Sequence, residues 1–209
     1  QLVYSDTFDK TGPARRQLVS AKIGLPSKWR TGSLAREIKA RKVLRDSDAA
    51  SFSIPTLLGY DRRRLTWLVE EFVRTDPRVT PDERSVIFLD QHATSFYTGF
   101  ARSRPIAAFL RKTGIAPETV QRLLDDAAVP LGRAYSKDTW PVSLTHGDLS
   151  TGNMIASDDG RLYVVDWEKF GQGPIAWDLR KLYRNSVDSV RDVLQKTSRG
   201  GDIDPTMQM

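Results

Sequence analysis

Leu144-Thr145-His146-Gly147-Asp148-Leu149-Ser150-Thr151-Gly152-Asn153-Met154-Ile155, followed by Leu162-Tyr163-Val164-Val165-Asp166-Trp167-Glu168, is the stretch on which the reading of this 209-residue chain turns. An acid, Asp148, stands on a loop, and an amide, Asn153, follows where an apolar run resumes. A second acid, Asp166, comes after the run Leu162–Val165, which reads as a buried strand. Ser157-Asp158-Asp159-Gly160 is turn chemistry, so Met154–Ala156 and Leu162–Val165 are predicted to pair as a hairpin.

This order of loop, strand, turn, strand and acid suits phosphoryl transfer. That reaction asks little covalent help of a protein. It needs an acid or base at the attacking hydroxyl and hard oxygen ligands that hold Mg²⁺ on the phosphates. Asp148 fits the first role, and Asn153 with Asp166 fits the second. The competing reading is a surface hairpin that carries acids by chance; six positions at fixed spacing argue against it. Those positions resemble the aminoglycoside phosphotransferase and choline kinase-like group, relatives of protein kinases. Its signature is His-Gly-Asp, four variable residues, Asn, then Asp-x-Glu, met here by His146-Gly147-Asp148, Asn153 and Asp166-Trp167-Glu168. Protein kinases place an Arg after the His and Phe-Gly after the metal-binding Asp. Gly147 and Trp167-Glu168 therefore favour the small-molecule branch.

The resemblance implies a two-lobed α+β, protein-kinase-like fold. Its small antiparallel-sheet lobe would span residues 1–70, and its mainly helical catalytic lobe residues 71–209. It implies an enzyme that moves the γ-phosphoryl group of ATP or another NTP, with Mg²⁺, to a hydroxyl of a small molecule: an antibiotic, a sugar, an amino alcohol or a lipid-linked saccharide. A nucleotide-binding pseudokinase or regulatory module is the alternative, and a protein kinase a weaker one. Lys22 stands where the group has a Lys on the α- and β-phosphates, and Glu37 where it has the carboxylate that holds that Lys. The competing readings are a solubilising Lys on an edge strand and an i,i+4 partner for Arg41. Glu71, Phe72 and Val73 fall at the hinge that lines the base pocket, although Phe72 equally suits plain core. Asp178 stands where the group holds its catalytic loop by hydrogen bonds to the backbone; an acid favoured by the helix dipole would occupy the same place. His146 is expected to brace the loop, and Glu168 to support a second metal position or the strand end. The chain opens at what resembles the group's second strand, so its first strand and phosphate-covering loop are expected to be missing.

Composition sets wider bounds. An apolar content of 39% supports a real core, and without Cys there are neither disulfides nor thiolate metal sites. No apolar run reaches membrane-spanning length and the start is not a signal peptide, so a cytoplasmic protein is the default. The net charge of +6 comes from the part before residue 146. No basic stripe is interleaved with aromatics, which argues against nucleic acid and for attraction of nucleotide or another anion. Oligomeric state is not legible.

Hairpin strands are expected over Leu2–Phe8 and Arg16–Ile23, joined by Asp9–Pro13, then a helix over Leu34–Leu44 with Leu34, Ile38 and Ala35 inward. Two more strands are expected over Ile54–Tyr60 and Leu65–Val73. Thr80, Pro81 and Glu83 form a strong helix start for a helix over Pro81–Arg102 with Val86, Leu89, Ala93, Phe96, Tyr97 and Phe100 inward. His92, with no acid one turn away, reads as structural. A helix over Ala116–Tyr135, a loop over Phe170–Pro174 and a helix from Ile175 to about Leu194 complete the expectation.

Overall fold

In a computed structural model, the chain is described over residues 2–7, 15–23, 31–105, 116, 118–119, 122, 139–182 and 187–198. The turn expected over Asp9–Pro13 and most of the helix expected over Ala116–Tyr135 lie outside these residues. Strands β1 (Leu2–Thr7), β2 (Arg15–Ile23), β3 (Leu57–Tyr60) and β4 (Trp67–Glu71) form an antiparallel sheet in the order β1-β2-β4-β3. Asp61 closes the turn between β3 and β4 by accepting from the N–H groups of Arg63 and Arg64, at 2.9 and 3.1 Å.

Helix α1 (Thr31–Arg45) follows β2 and starts earlier than Leu34. Its inward face is wider than the aliphatic pattern suggests. Leu34, Ile38, Ala40 and Leu44 are buried, and so are Glu37 and Arg41, whereas Ala35 is only half-buried. Pairing between these buried charges lets a weakly apolar helix sit against the protein.

Thr80 caps α2 (Pro81–Ile87) as a reciprocal box, accepting from Glu83 N–H at 3.3 Å while its own N–H donates to the Glu83 carboxylate at 2.7 Å. The helix then widens into a π-helical segment, Phe88–Ala93, before α3 (Thr94–Phe100). The expected core position Val86 is exposed, because the inward face begins at Ser85, Phe88 and Leu89 and the wide turn restores phase at Ala93, Phe96 and Tyr97. The chain leaves helix earlier than expected: β5 (Arg102–Pro105) pairs with β6 (Thr139–Thr145).

The segment Gly171–Pro174, expected as loop, is strand β9 on the other edge of β6. Its glycines keep side chains out of the ladder. β7 (Met154–Ala156) and β8 (Leu162–Val164) form the expected hairpin. Helix α4 (Ile175–Leu179) is short, and α5 (Val187–Ser198) runs past Leu194. Trp167 is the hub of the core: it stacks on Phe52 (centroids 5.9 Å apart, planes at 18°), meets Phe96 and Phe170 edge-on, and donates its indole N–H to Val164 O at 2.9 Å. Among the described residues no helix is long and apolar enough to cross a membrane.

Candidate active site

The loop His146–Asn153 enters from β6 and leaves into β7, and its shape is imposed from beneath. The carboxylate of Asp178, fully buried on α4, accepts from the N–H groups of His146 and Gly147 (2.7 and 2.8 Å) and from the Tyr97 hydroxyl (3.0 Å). Burial pushes the Asp178 carboxyl upward, and the two backbone donors pull it back. Burial and the adjacent Asp178 drive the Tyr97 hydroxyl well above its usual range, so it remains a donor. Gly147 adopts φ +83°, and a Cβ there would lie 2.8 Å from Lys169 Cβ and nearer still to its carbonyl oxygen.

His146 is buried against Trp167, with ring centroids 4.6 Å apart. Its Nε2–H donates to Val165 O at 2.8 Å and its Nδ1 accepts from Asp148 N–H at 3.2 Å, so the ring is neutral in a single tautomer. Burial lowers its pKa against the opposing pull of the Val165 carbonyl and the surrounding acids. One imidazole thus ties the His146–Asn153 loop to the strand end that carries Asp166.

Asn153 donates its side-chain amide N–H to the Asp148 backbone carbonyl at 2.9 Å, and its backbone carbonyl accepts from Val165 N–H at 3.0 Å. Its side-chain nitrogen is spent inside the loop, which leaves the side-chain oxygen as the atom it can offer a cation. Asp166 sits in the left-handed region at φ 67°, a conformation Asp tolerates better than most residues and one that costs of order 1–3 kcal/mol. Its neighbour Trp167 is anchored in the core, which fixes that backbone.

Lys22 brings the sheet to this loop. Its ammonium lies 2.8 Å from Glu37 Oε1 and 3.2 Å from Asp166 Oδ1. Burial works against the Lys22 charge, and Glu37, with Glu70 and Asp166, more than offsets it, leaving the pKa above the usual lysine value. Lys22 is not on an edge strand, since β2 lies between β1 and β4. The i,i+4 partnership of Glu37 and Arg41 exists alongside it, at 3.0 Å. Arg41 also binds Glu70 and the Pro55 carbonyl, so Lys22, Glu37, Arg41 and Glu70 make one partly buried chain of charges. Carboxylate oxygens of Glu37, Asp166 and Glu168 lie within 4.8 Å of one another, a set able to hold a cation. Glu168 also gives its backbone carbonyl to Arg36 Nε at 2.6 Å, which joins α1 to the Trp167–Lys169 turn.

Glu71 lies across from Val19, three positions along β2 from Lys22, and its carboxylate accepts from Thr56 N–H at 3.1 Å. Phe72 is half-buried and Val73 buried, so these residues continue the sheet end toward the Thr75–Ser157 bridge. His92 bonds Ser51 through Nδ1 at 2.8 Å.

Two residues at the centre had no signal in the sequence. Lys169 Nζ donates to Asp148 Oδ2 at 2.7 Å, and Lys181 Nζ donates to Oδ1 of the same carboxylate. Together they hold the Asp148 carboxyl down at about 2. Lysines on a turn and just beyond a short helix look like ordinary solvated charges. Arg41 with Glu70 was also missed, because only the i,i+4 half of that network shows in spacing.

An acid loop braced by a neutral His, an acid on a strand end and a Lys–Glu pair from a sheet define a kinase-like phosphotransferase. The model of the phosphotransferase enzyme family matches residues 5–204, and the chain belongs to that family. No curated protein matches the sequence. The fold is similar to that of an ADP-bound aminoglycoside phosphotransferase (TM-score 0.56, 14% identity, 100% of this chain and 79% of that one). It is also similar to a macrolide 2′-phosphotransferase from Brachybacterium faecium (0.55, 17%, 96% and 77%) and to a choline kinase from Streptococcus pneumoniae (0.51, 16%, 91% and 69%).

Proposed function

We propose that this phosphotransferase moves the γ-phosphoryl group of a nucleoside triphosphate, ATP in the first instance, to a hydroxyl of a small molecule. The observation that carries this is the convergence of Lys22 on both Glu37 and Asp166, which joins a sheet cation to the acid behind the catalytic loop. Residues 1–70 would cover the nucleotide, with Glu71, Phe72 and Val73 beside the base, and residues 71–209 would carry the reaction.

Asp148 accepts the proton of the acceptor hydroxyl. The acceptor oxygen bonds to the γ-phosphorus while the bond from that phosphorus to the β,γ-bridging oxygen breaks, and the nucleoside diphosphate leaves. Lys22, oriented by Glu37, neutralises charge on the α- and β-phosphates. Asn153 through its amide oxygen and Asp166 through its carboxylate would hold Mg²⁺, and both are the hard oxygen donors that ion takes. When bound, the ion supplies charge neutralisation on the phosphates. His146 and Asp178 hold the loop that presents Asp148, and Glu168 supports the metal side of the strand end.

The test is a screen of hydroxylated metabolites, sugars, amino alcohols and antibiotics with Mg-ATP, reading nucleoside diphosphate release. Turnover with at least one acceptor that falls by about a hundredfold or more in Asp166→Asn supports the assignment. Turnover unchanged in that variant removes Asp166 from the mechanism.

A further inference from the structure

Two ammonium groups flank Asp148, the carboxylate proposed to meet the acceptor hydroxyl. Lys169 lies on the turn after Asp166 and Lys181 just beyond α4, yet both ammonium groups end on one carboxylate, one on each oxygen. Two cations on one anion leave this side of the site positive. The other side has the opposite balance, because Lys22 faces the carboxylates of Glu37 and Asp166, and that of Glu168 lies within 4.8 Å of both. A divalent cation belongs on the second side and an anion on the first.

Both lysines are open to solvent, with side chains 61% and 41% exposed, so a ligand reaches them without dismantling packed structure. Among the described residues Asp148 is the acid each of them meets. For the transfer step Asp148 has to turn an oxygen to the acceptor hydroxyl. An acceptor with its own anionic group lets the ammonium groups exchange one carboxylate for another as that happens. A neutral acceptor leaves both of them competing for Asp148, and a cationic acceptor places a third positive charge beside them.

We propose that the acceptor is an anionic hydroxyl compound, carrying a carboxylate or phosphate near the hydroxyl that is phosphorylated, and that Lys169 and Lys181 bind that group. This rests on the phosphotransferase reading above and names its substrate class. It also sets this site apart from one suited to polycations, which would surround the acceptor with acids.

The experiment titrates the MgADP-loaded protein by calorimetry with four small probes of graded charge: glycerate, glycerol 3-phosphate, glycerol and ethanolamine. The wild type is expected to bind at least one anion about tenfold or more tightly than glycerol, and ethanolamine more weakly than glycerol. The comparison between glycerate and glycerol 3-phosphate says which anionic group fits. In Lys169→Gln/Lys181→Gln the affinities should converge to within about threefold while MgADP affinity stays unchanged, and Lys169→Arg/Lys181→Arg should keep the preference. Glycerol or ethanolamine binding as tightly as the anions, no binding of any probe, or a preference that survives the double Gln substitution would overturn the proposal. Failure of the wild type to bind MgADP would instead sink the phosphotransferase reading on which it rests.

Discussion

Removing the Asp178 carboxylate should cost more than any helix-dipole effect allows. Its oxygens accept three hydrogen bonds at 2.7, 2.8 and 3.0 Å from His146 N–H, Gly147 N–H and Tyr97 O–H. A buried donor left without a partner costs about 1–3 kcal/mol, so Asp178→Ala, which orphans all of them, should lose about 3–6 kcal/mol after partial relaxation. Against a typical stability of about 5–15 kcal/mol that is enough to leave a domain marginal. Asp178→Asn keeps one oxygen acceptor and turns an amide donor toward an N–H, and should lose about 2–4 kcal/mol. Tyr97→Phe removes one donor and leaves both backbone bonds, so about 1 kcal/mol is expected. If Asp178 served only as an acid in the first turn of α4, its dipole contribution would be at most about 2 kcal/mol. Urea denaturation of the three variants, read as midpoints at constant slope, separates the accounts. A loss within about 0.5 kcal/mol of the wild type for Asp178→Asn would refute the reasoning, because no buried donor would then depend on that carboxylate.

Gly147→Ala should abolish turnover and lower the unfolding midpoint, since the residue stands at φ +83° with no room against the Lys169 backbone; an active, equally stable variant would contradict this. Arg41→Met strands Glu70 in a buried position, where burial already raises its carboxyl, and breaking such a pair costs about 3–5 kcal/mol. Chemical denaturation should show the double variant Arg41→Met/Glu70→Leu recovering part of that loss. His146 is kept neutral, its folded pKa below the usual 6.5. As pH falls through about 6.5 the unfolded chain takes up a proton that the folded chain resists, so this contribution is present above about 6.5 and is lost below it. Unfolding free energy measured from about pH 7 to about pH 5 should fall less steeply in His146→Gln; His92, which burial shifts in the same direction, still contributes to the fall, and the raised carboxyls of Glu70 and Asp178 act against it.

The hairpin β7–β8 and the cap at Thr80 could be read from the chain because each depends on local chemistry, whereas the pairing of Lys22 with Glu37 was implied by the family resemblance alone. Strand β9 could not, because Gly171–Pro174 carries no apolar alternation and is a strand only through pairing with β6. The phase of α2 misled for a related reason: the π-helical turn at Phe88–Ala93 answers to packing against the core, which periodicity does not record. Lys169 and Lys181 were hidden because their meeting at Asp148 is purely tertiary. Trp167 showed in the sequence as part of a motif, while its part as the hub of the aromatic core did not.

The central claim is that Lys22, Asn153 and Asp166 serve one metal-bound nucleotide. Calorimetric titration of ADP with and without Mg²⁺ tests it most directly. The account predicts that Mg²⁺ tightens ADP binding in the wild type by about tenfold or more, that Asp166→Asn loses this gain, and that Lys22→Ala weakens ADP in both conditions. An ADP affinity that ignores Mg²⁺ in the wild type, or a full Mg²⁺ gain in Asp166→Asn, would contradict it.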